Sequence, residues 1–151
     1  MKDFILLIHA SGAPGLRTFG LGPMLLPHRG ITKLQALLDK NTSWANKRNK
    51  KEIKQMLSRS NVVVSVWKNK ELIGFGRATS DTVYRAVLWD IVVEKKHQKF
   101  GIGKKIVNSL LSHRLISKVE KIYIMTTKFR TFYSKLDFKL EINQKLMLLE
   151  K

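Results

Sequence analysis

Two glycines, Gly101 and Gly103, sit in the stretch HQKFGIGKK at residues 97–105, with Lys99, Lys104 and Lys105 around them. A β-branched, apolar run (YRAVLWDIVVE, 84–94) precedes them. IGKKIVNSLLSHRL follows, with Ile102, Ile106, Leu110 and Leu111 on one helical face. A strand that runs into a glycine loop and opens a helix can bind an anion. The first helical amides have no partner one turn back, and the helix dipole puts partial positive charge there. Glycine lets a phosphate approach the backbone without a Cβ in the way. On this reading the amides of Phe100, Gly101, Ile102, Gly103 and Lys104 cradle a pyrophosphate and the lysines add attraction. The same residues also suit a turn with solvated lysines, or a basic patch facing nucleic acid. The stretch is neither a Walker loop nor a dinucleotide fingerprint, because GxxxxGK[ST] and GxGxxG are both absent.

Composition narrows the chemistry. The 151 residues fit one domain, 1–151, and contain no cysteine, so disulfides, thiolate metal sites and a cysteine nucleophile are excluded. The histidines at 9, 28, 97 and 113 show no ligand spacing, and no metal site is expected. Twenty-nine Lys plus Arg against 11 Asp plus Glu give a net charge of +18. That field attracts polyanions, but no base-reading motif accompanies it, so contact with nucleic acid is expected to be non-specific. The apolar run in MKDFILLIHA is too short and wrongly flanked for a signal peptide, and no run approaches a membrane span. A cytoplasmic protein is expected, or a stromal one if the source is a photosynthetic eukaryote, with no membrane partner.

Stepping along the chain, residues 3–9 predict a strand, and a glycine- and proline-rich loop follows over 10–30. Helices are expected over 31–40 and 48–58, with Trp44 packing one on the other. NVVVSVW (61–67) and ELIGFGRATS (71–80) predict a β-hairpin, and 84–94 a third strand buried on both faces. After the helix behind the glycine loop come a strand over 120–126, a short helix over 129–138, and a last strand at 145–149. The order predicts an α/β (α+β) fold: a mixed, mostly antiparallel sheet flanked by helices on both faces.

Gln98-Lys99-Phe100-Gly101-Ile102-Gly103 matches a Q/R-x-x-G-x-G/A signature directly after a strand ending Ile91-Val92-Val93. Further on, Thr131-Phe132-Tyr133-Ser134-Lys135-Leu136-Asp137-Phe138 is similar to an FYxKLGF element. With the order of elements, the chain resembles the GNAT superfamily of acyl-CoA-dependent N-acetyltransferases, most firmly from 61 to 140. GFGRATSDTVYRAVLWDIVV with the glycine loop is similar to a cyanobacterial and plastid-type branch, which includes enzymes acting on arylalkylamines and on protein amines.

The resemblance implies a cofactor, acetyl-CoA, and roles for particular residues. The loop amides would hold its pyrophosphate and Gln98 would shape the loop. Backbone at Ile91, Val92 and Val93 would pair with the pantetheine arm, one amide there polarising the thioester carbonyl. Tyr133 would protonate the leaving thiolate. Asp90 is the carboxylate best placed to act as general base or to position the amine, with Glu94 second; a water relay is the alternative. Without cysteine, direct transfer in a ternary complex is expected. Three positions depart from the family pattern: Thr126 where a pantetheine-binding Asn is usual, Phe129 where a small residue is usual, and Asp137 for the glycine of KLGF. Aspartate tolerates the left-handed conformation that such a turn needs. The acceptor, a protein or small-molecule amine, is expected near residues 12–29, Trp44, Arg77, Ser80 and Asp81, with Trp44, Trp89 or Phe75 to grip an aryl group. The protein is a monomer or a homodimer on this reading, an exposed last strand being the means of pairing.

Overall fold

The computed structural model describes residues 3–151. Five strands form one sheet in chain order: β1 (Ile5–His9), β2 (Val62–Lys68), β3 (Glu71–Ser80), β4 (Arg85–Val93) and β5 (Lys121–Ile124). β1 to β4 are antiparallel neighbours, and β5 joins β4 in parallel. A parallel neighbour needs a crossover, here α3 (Ile102–Ser112).

β2 shows how the sheet makes two cores. Val62, Val64 and Val66 alternate with Val63, Ser65 and Trp67, and all six are fully buried. Val63 and Trp67 join α1 (Gly30–Asn41) and α2 (Lys50–Ser58) through Leu34, Leu37, Leu38, Ile53 and Leu57. Val62, Val64 and Val66 face Ile102, Ile106, Val107 and Leu110 of α3, and Tyr133 of α4 (Arg130–Ser134). The expected layering, helices on both faces of a mostly antiparallel sheet, is observed. α2 begins on a capping box: Asn49 accepts from the Glu52 amide at 2.8 Å, and Glu52 accepts from the Asn49 amide.

Two expectations fail. No strand forms at 145–149; the segment has no ladder partner, and Leu146, Met147, Leu148 and Leu149 are all exposed. Leucine and methionine signal a preference for burial without choosing a β partner, and the run lacks the β-branched residues that fill β2. Trp44 does not pack α1 on α2. It is 54% exposed, and its neighbour Ala45, fully buried, joins the α1–α2 core instead.

Candidate active site

The glycine loop lies where the sequence places it, and its two glycines do different things. Gly101 precedes α3 at φ 80°, the left-handed region, and nothing lies within 4 Å of where its Cβ would be. No side chain caps the helix; the first intrahelical bond runs from the Lys105 amide to the Gly101 carbonyl. The amides of Ile102, Gly103 and Lys104 therefore sit in an uncapped first turn beside open space. Gly103 serves packing instead: a Cβ there would stand 3.3 Å from the Phe132 ring and 3.9 Å from Val93. Gln98 donates to the Val93 carbonyl at 3.0 Å, stapling the loop to the end of β4. Lys99 takes φ 66°, and Phe100 is half exposed. His97 is bound to Glu94 at 2.8 Å, and Glu94 also meets Lys96 at 3.3 Å.

β4 outruns its parallel neighbour. The ladder with β5 ends at Leu88↔Ile124, while β4 continues through Trp89, Asp90, Ile91, Val92 and Val93. Past Leu88, β4 has a ladder only with β3. A parallel pair that opens at one end leaves strand backbone available to an extended ligand.

The open end also carries a bulge. Phe75 pairs with Val92 and Arg77 with Trp89, so Asp90 and Ile91 together face the single residue Gly76. Asp90 has φ 52°, a conformation usually taken by glycine at a bulge. Two arginines hold it there. Arg77 Nε donates to Asp90 Oδ2 at 2.7 Å, and Arg48 Nη1 donates to the same oxygen at 3.1 Å. The carboxylate is almost wholly buried. Arg77 also lies over the Trp89 ring, 5.6 Å from its centroid. Arg48 comes from the α1–α2 connection, so the ion pair ties that connection to the bulge. Sequence reasoning missed Arg48. The available signal was a lone aspartate in an apolar strand, which demands a cation from somewhere.

Tyr133 lies on the other face, in the core beneath α3, with edge-to-face contacts to Phe132 at 4.9 Å and Phe138 at 5.8 Å. Burial pushes its phenol up to about 12. α4 ends in a left-handed turn at Asp137, φ 67°, where the Phe138 amide reaches back to the Tyr133 carbonyl. The aspartate thus does the work of the missing glycine. Thr126 Oγ1 accepts from the Phe129 amide at 3.1 Å, and Phe129 is half exposed at the start of α4.

The residues named from the sequence therefore fall into two groups. Val93, Gln98, Gly103 and the Phe132–Tyr133 pair converge around the loop. Asp90 faces α1 and α2 with Arg48 and Arg77. In the region expected to receive an acceptor, Phe75 is fully buried and Trp89 is tied to Thr79 Oγ1 at 2.8 Å. Asp81 Oδ1 accepts the amides of Val83, Tyr84 and Arg85, which makes it the organiser of a turn. Among the described residues no cluster of acids and histidines suits a metal ion.

The sequence pattern of the acetyltransferase (GNAT) domain matches residues 59–140, more than half of the chain and all of the site just described except Arg48. The chain belongs to the GNAT acetyltransferase family. GNAT relatives with similar sequences include the uncharacterized N-acetyltransferase ycf52 of Pyropia yezoensis, 32% identical over 113 residues, which cover 72% of this chain and 64% of that protein. A ycf52-like N-acetyltransferase of Prochlorococcus marinus is 30% identical over 62% of this chain and 53% of its own length. The chain thus spans less than two thirds of the length of these relatives. Among solved structures, a GNAT-family protein from Xanthomonas campestris superposes with a TM-score of 0.75, at 18% identity, over 100% of this chain and 95% of that one. A Streptococcus pneumoniae GNAT-family protein gives 0.73 at 14% identity, covering 99% and 98%. These two likenesses establish the fold and nothing narrower.

Proposed function

We propose that the protein moves an acetyl group from acetyl-CoA to a primary amine by direct attack within a ternary complex. The observation that carries this reading is the parting of β4 from β5 beside the uncapped first turn of α3. One end of that opening offers fixed amides for a pyrophosphate, at Ile102, Gly103 and Lys104. The other offers the strand edge that β5 does not cover, at Ile91, Val92 and Val93, for the amide-bearing arm, the Val93 carbonyl already accepting from Gln98.

The neutral amine attacks the thioester carbonyl carbon. The C–N bond forms, the C–S bond breaks, and an amide on the bulged strand stabilises the oxyanion. Tyr133 gives its proton to the departing thiolate, and the proton shed by the amine restores the phenol. A phenol held at about 12 by burial is fully protonated at neutral pH, so its proton is in place when the thiolate departs. Asp90 works as a positioning residue, because both bound guanidiniums compete for the lone pair that a general base would use. A water relay therefore carries one proton from the incoming ammonium to solvent before the attack. Thr126, its oxygen already accepting from Phe129, is left with its hydroxyl proton to donate to the pantetheine arm.

A relative from Glycine max, a histone acetyltransferase, is 30% identical over 120 residues, covering 72% of this chain and 51% of that protein. It supports protein amines as acceptors beside arylalkylamines. The test is incubation of the purified protein with acetyl-CoA, amines, lysine peptides and cell extracts, read by mass spectrometry. Acetylated amine with equimolar CoA release is expected. Absence of CoA binding by calorimetry, at low as well as physiological salt, overturns the reading.

A further inference from the structure

The connection before α1 and the first turns of α2 enclose a cleft apart from the glycine loop and from the reacting atoms of the proposed transfer. Its volume is about 260 Å³, and it opens to solvent. Arg17, Arg29, Lys50 and Lys54 line it, with the side chains of Thr18 and Thr32. Local structure fixes each of them. Arg17 lies in a helical turn, Gly15–Phe19, pinned by the fully buried Leu16. Arg29 stands at φ 53° just before α1. Lys50 and Lys54, four apart, share one face of α2.

Four cations around one cleft repel one another, and among the described residues none of them has an acidic partner. The acid between the two lysines, Glu52, is engaged in the capping box of α2. The second observation is independent of this charge. Arg17 Nε is buried and has no hydrogen-bond partner. A charged N–H withdrawn from water without an acceptor is an uncommon and costly arrangement. An anion supplied from outside the chain relieves the repulsion among the four cations and lowers the cost of holding the Arg17 guanidinium in place. The first turn of α1 has no side-chain cap and no acid, its Gly30 amide donating to the Gly20 carbonyl, and its dipole adds to the same field.

We propose that this cleft binds a phosphomonoester group. A carboxylate brings one charge to four cations. A phosphomonoester brings close to two at neutral pH, with three acceptor oxygens that suit guanidinium geometry. The site is distinct from the glycine loop at α3 and stands without the transferase reading. If that reading holds, the group belongs to the acceptor, held on the α1–α2 side from which Arg48 reaches the bulge.

The test is a titration of the isotope-labelled protein with inorganic phosphate, O-phosphoethanolamine and a phosphoserine peptide in about 0.15 M salt, read residue by residue by NMR. Saturable shifts at Thr18, Gly30, Ile31, Thr32 and Lys50 are expected. They should be tighter for one phosphomonoester than for inorganic phosphate, and the tighter one tells a small amine from a protein as the source. Lys50 and Lys54 are exposed, so Lys50→Ala with Lys54→Ala leaves folding intact and should weaken binding at least about tenfold. Arg17→Gln should do the same. Affinity unchanged in the lysine variant, shifts confined to residues 101–104, or a ranking that favours inorganic phosphate overturns the proposal. CoA binding in the same samples reports separately on the glycine loop, so the two readings fail independently.

Discussion

The two side chains closest to the proposed chemistry make opposite demands on a mutation. Tyr133 is buried, raised to about 12, and held by aromatic contacts that phenylalanine would keep. Tyr133→Phe should therefore lower kcat by about 10²–10⁴-fold, the usual contribution of a positioned acid, while calorimetric CoA affinity stays unchanged. Unaltered turnover would remove Tyr133 from the mechanism. Because the phenol stays protonated well past pH 10, wild-type kcat should show no alkaline loss from this group between pH 7 and 10. Asp90 calls for a pair of variants, since its backbone is left-handed and one carboxylate oxygen is shared by two arginines. Asp90→Gly suits the φ of 52° but leaves Arg77 and Arg48 uncompensated. Asp90→Asn keeps the volume and loses the charge. A positioning role predicts lower kcat in both with the shape of the pH–rate profile kept; loss of the acidic limb in Asp90→Asn would make Asp90 the base instead.

At the scale of elements, the bulge depends on a residue outside the chemistry. A Cβ on Gly76 would fall 2.6 Å from Ile106 Cγ2 and 2.8 Å from Ile91 Cδ1. Gly76→Ala should then cost about 1–3 kcal/mol through overpacking, seen as a lower urea midpoint at unchanged m. It should also slow transfer, since the displaced Ile91 belongs to the strand proposed to meet the thioester. β1 carries a pH dependence of its own. His9 bonds to Ser65 Oγ at 2.7 Å, the same oxygen that accepts from Trp67 Nε1, and burial lowers its pKa from 6.5 to about 4. A lowered histidine is neutral in the fold and protonates more readily in the unfolded chain. Its contribution, on the order of 2–3 kcal/mol, is present above pH 6.5 and lost as pH falls towards 4. Denaturation at pH 7.5 and 4.5 should show a smaller difference in His9→Gln than in the wild type. These elements also show what the sequence could reveal. Alternation in β2, the apolar run of β4 and the glycine loop each express a local rule, so strand, crossover and loop were legible. The bulge comes from the register of β3 against β4, and Asp90's partner Arg48 lies 42 residues away. Neither is encoded in any short window. The failed strand at 145–149 is the converse case, an apolar segment whose partner the chain does not supply.

For the whole molecule the dominant fact is a net charge of +18, carried mostly by exposed lysines. Such a field accelerates the arrival of any anion and does not by itself select one. The fixed amides of α3 and the staple from Gln98 to Val93 act at contact distance, where salt screens weakly; the lysine field acts across solvent, where the screening length is about 10 Å at 0.1 M salt. The two contributions separate in a salt series. CoA association should slow several-fold from about 50 to 200 mM salt while its dissociation rate changes little, because steering is lost and the local contacts are not. Binding to RNA or DNA, which has only the field to draw on, should fall by orders of magnitude across the same range, with similar affinity for unrelated sequences. Stopped-flow rates for CoA and fluorescence anisotropy for labelled RNA measure both on one sample. Tight RNA binding that survives 200 mM salt and discriminates between sequences would make the charge a recognition surface, and the GNAT fold here a scaffold for it.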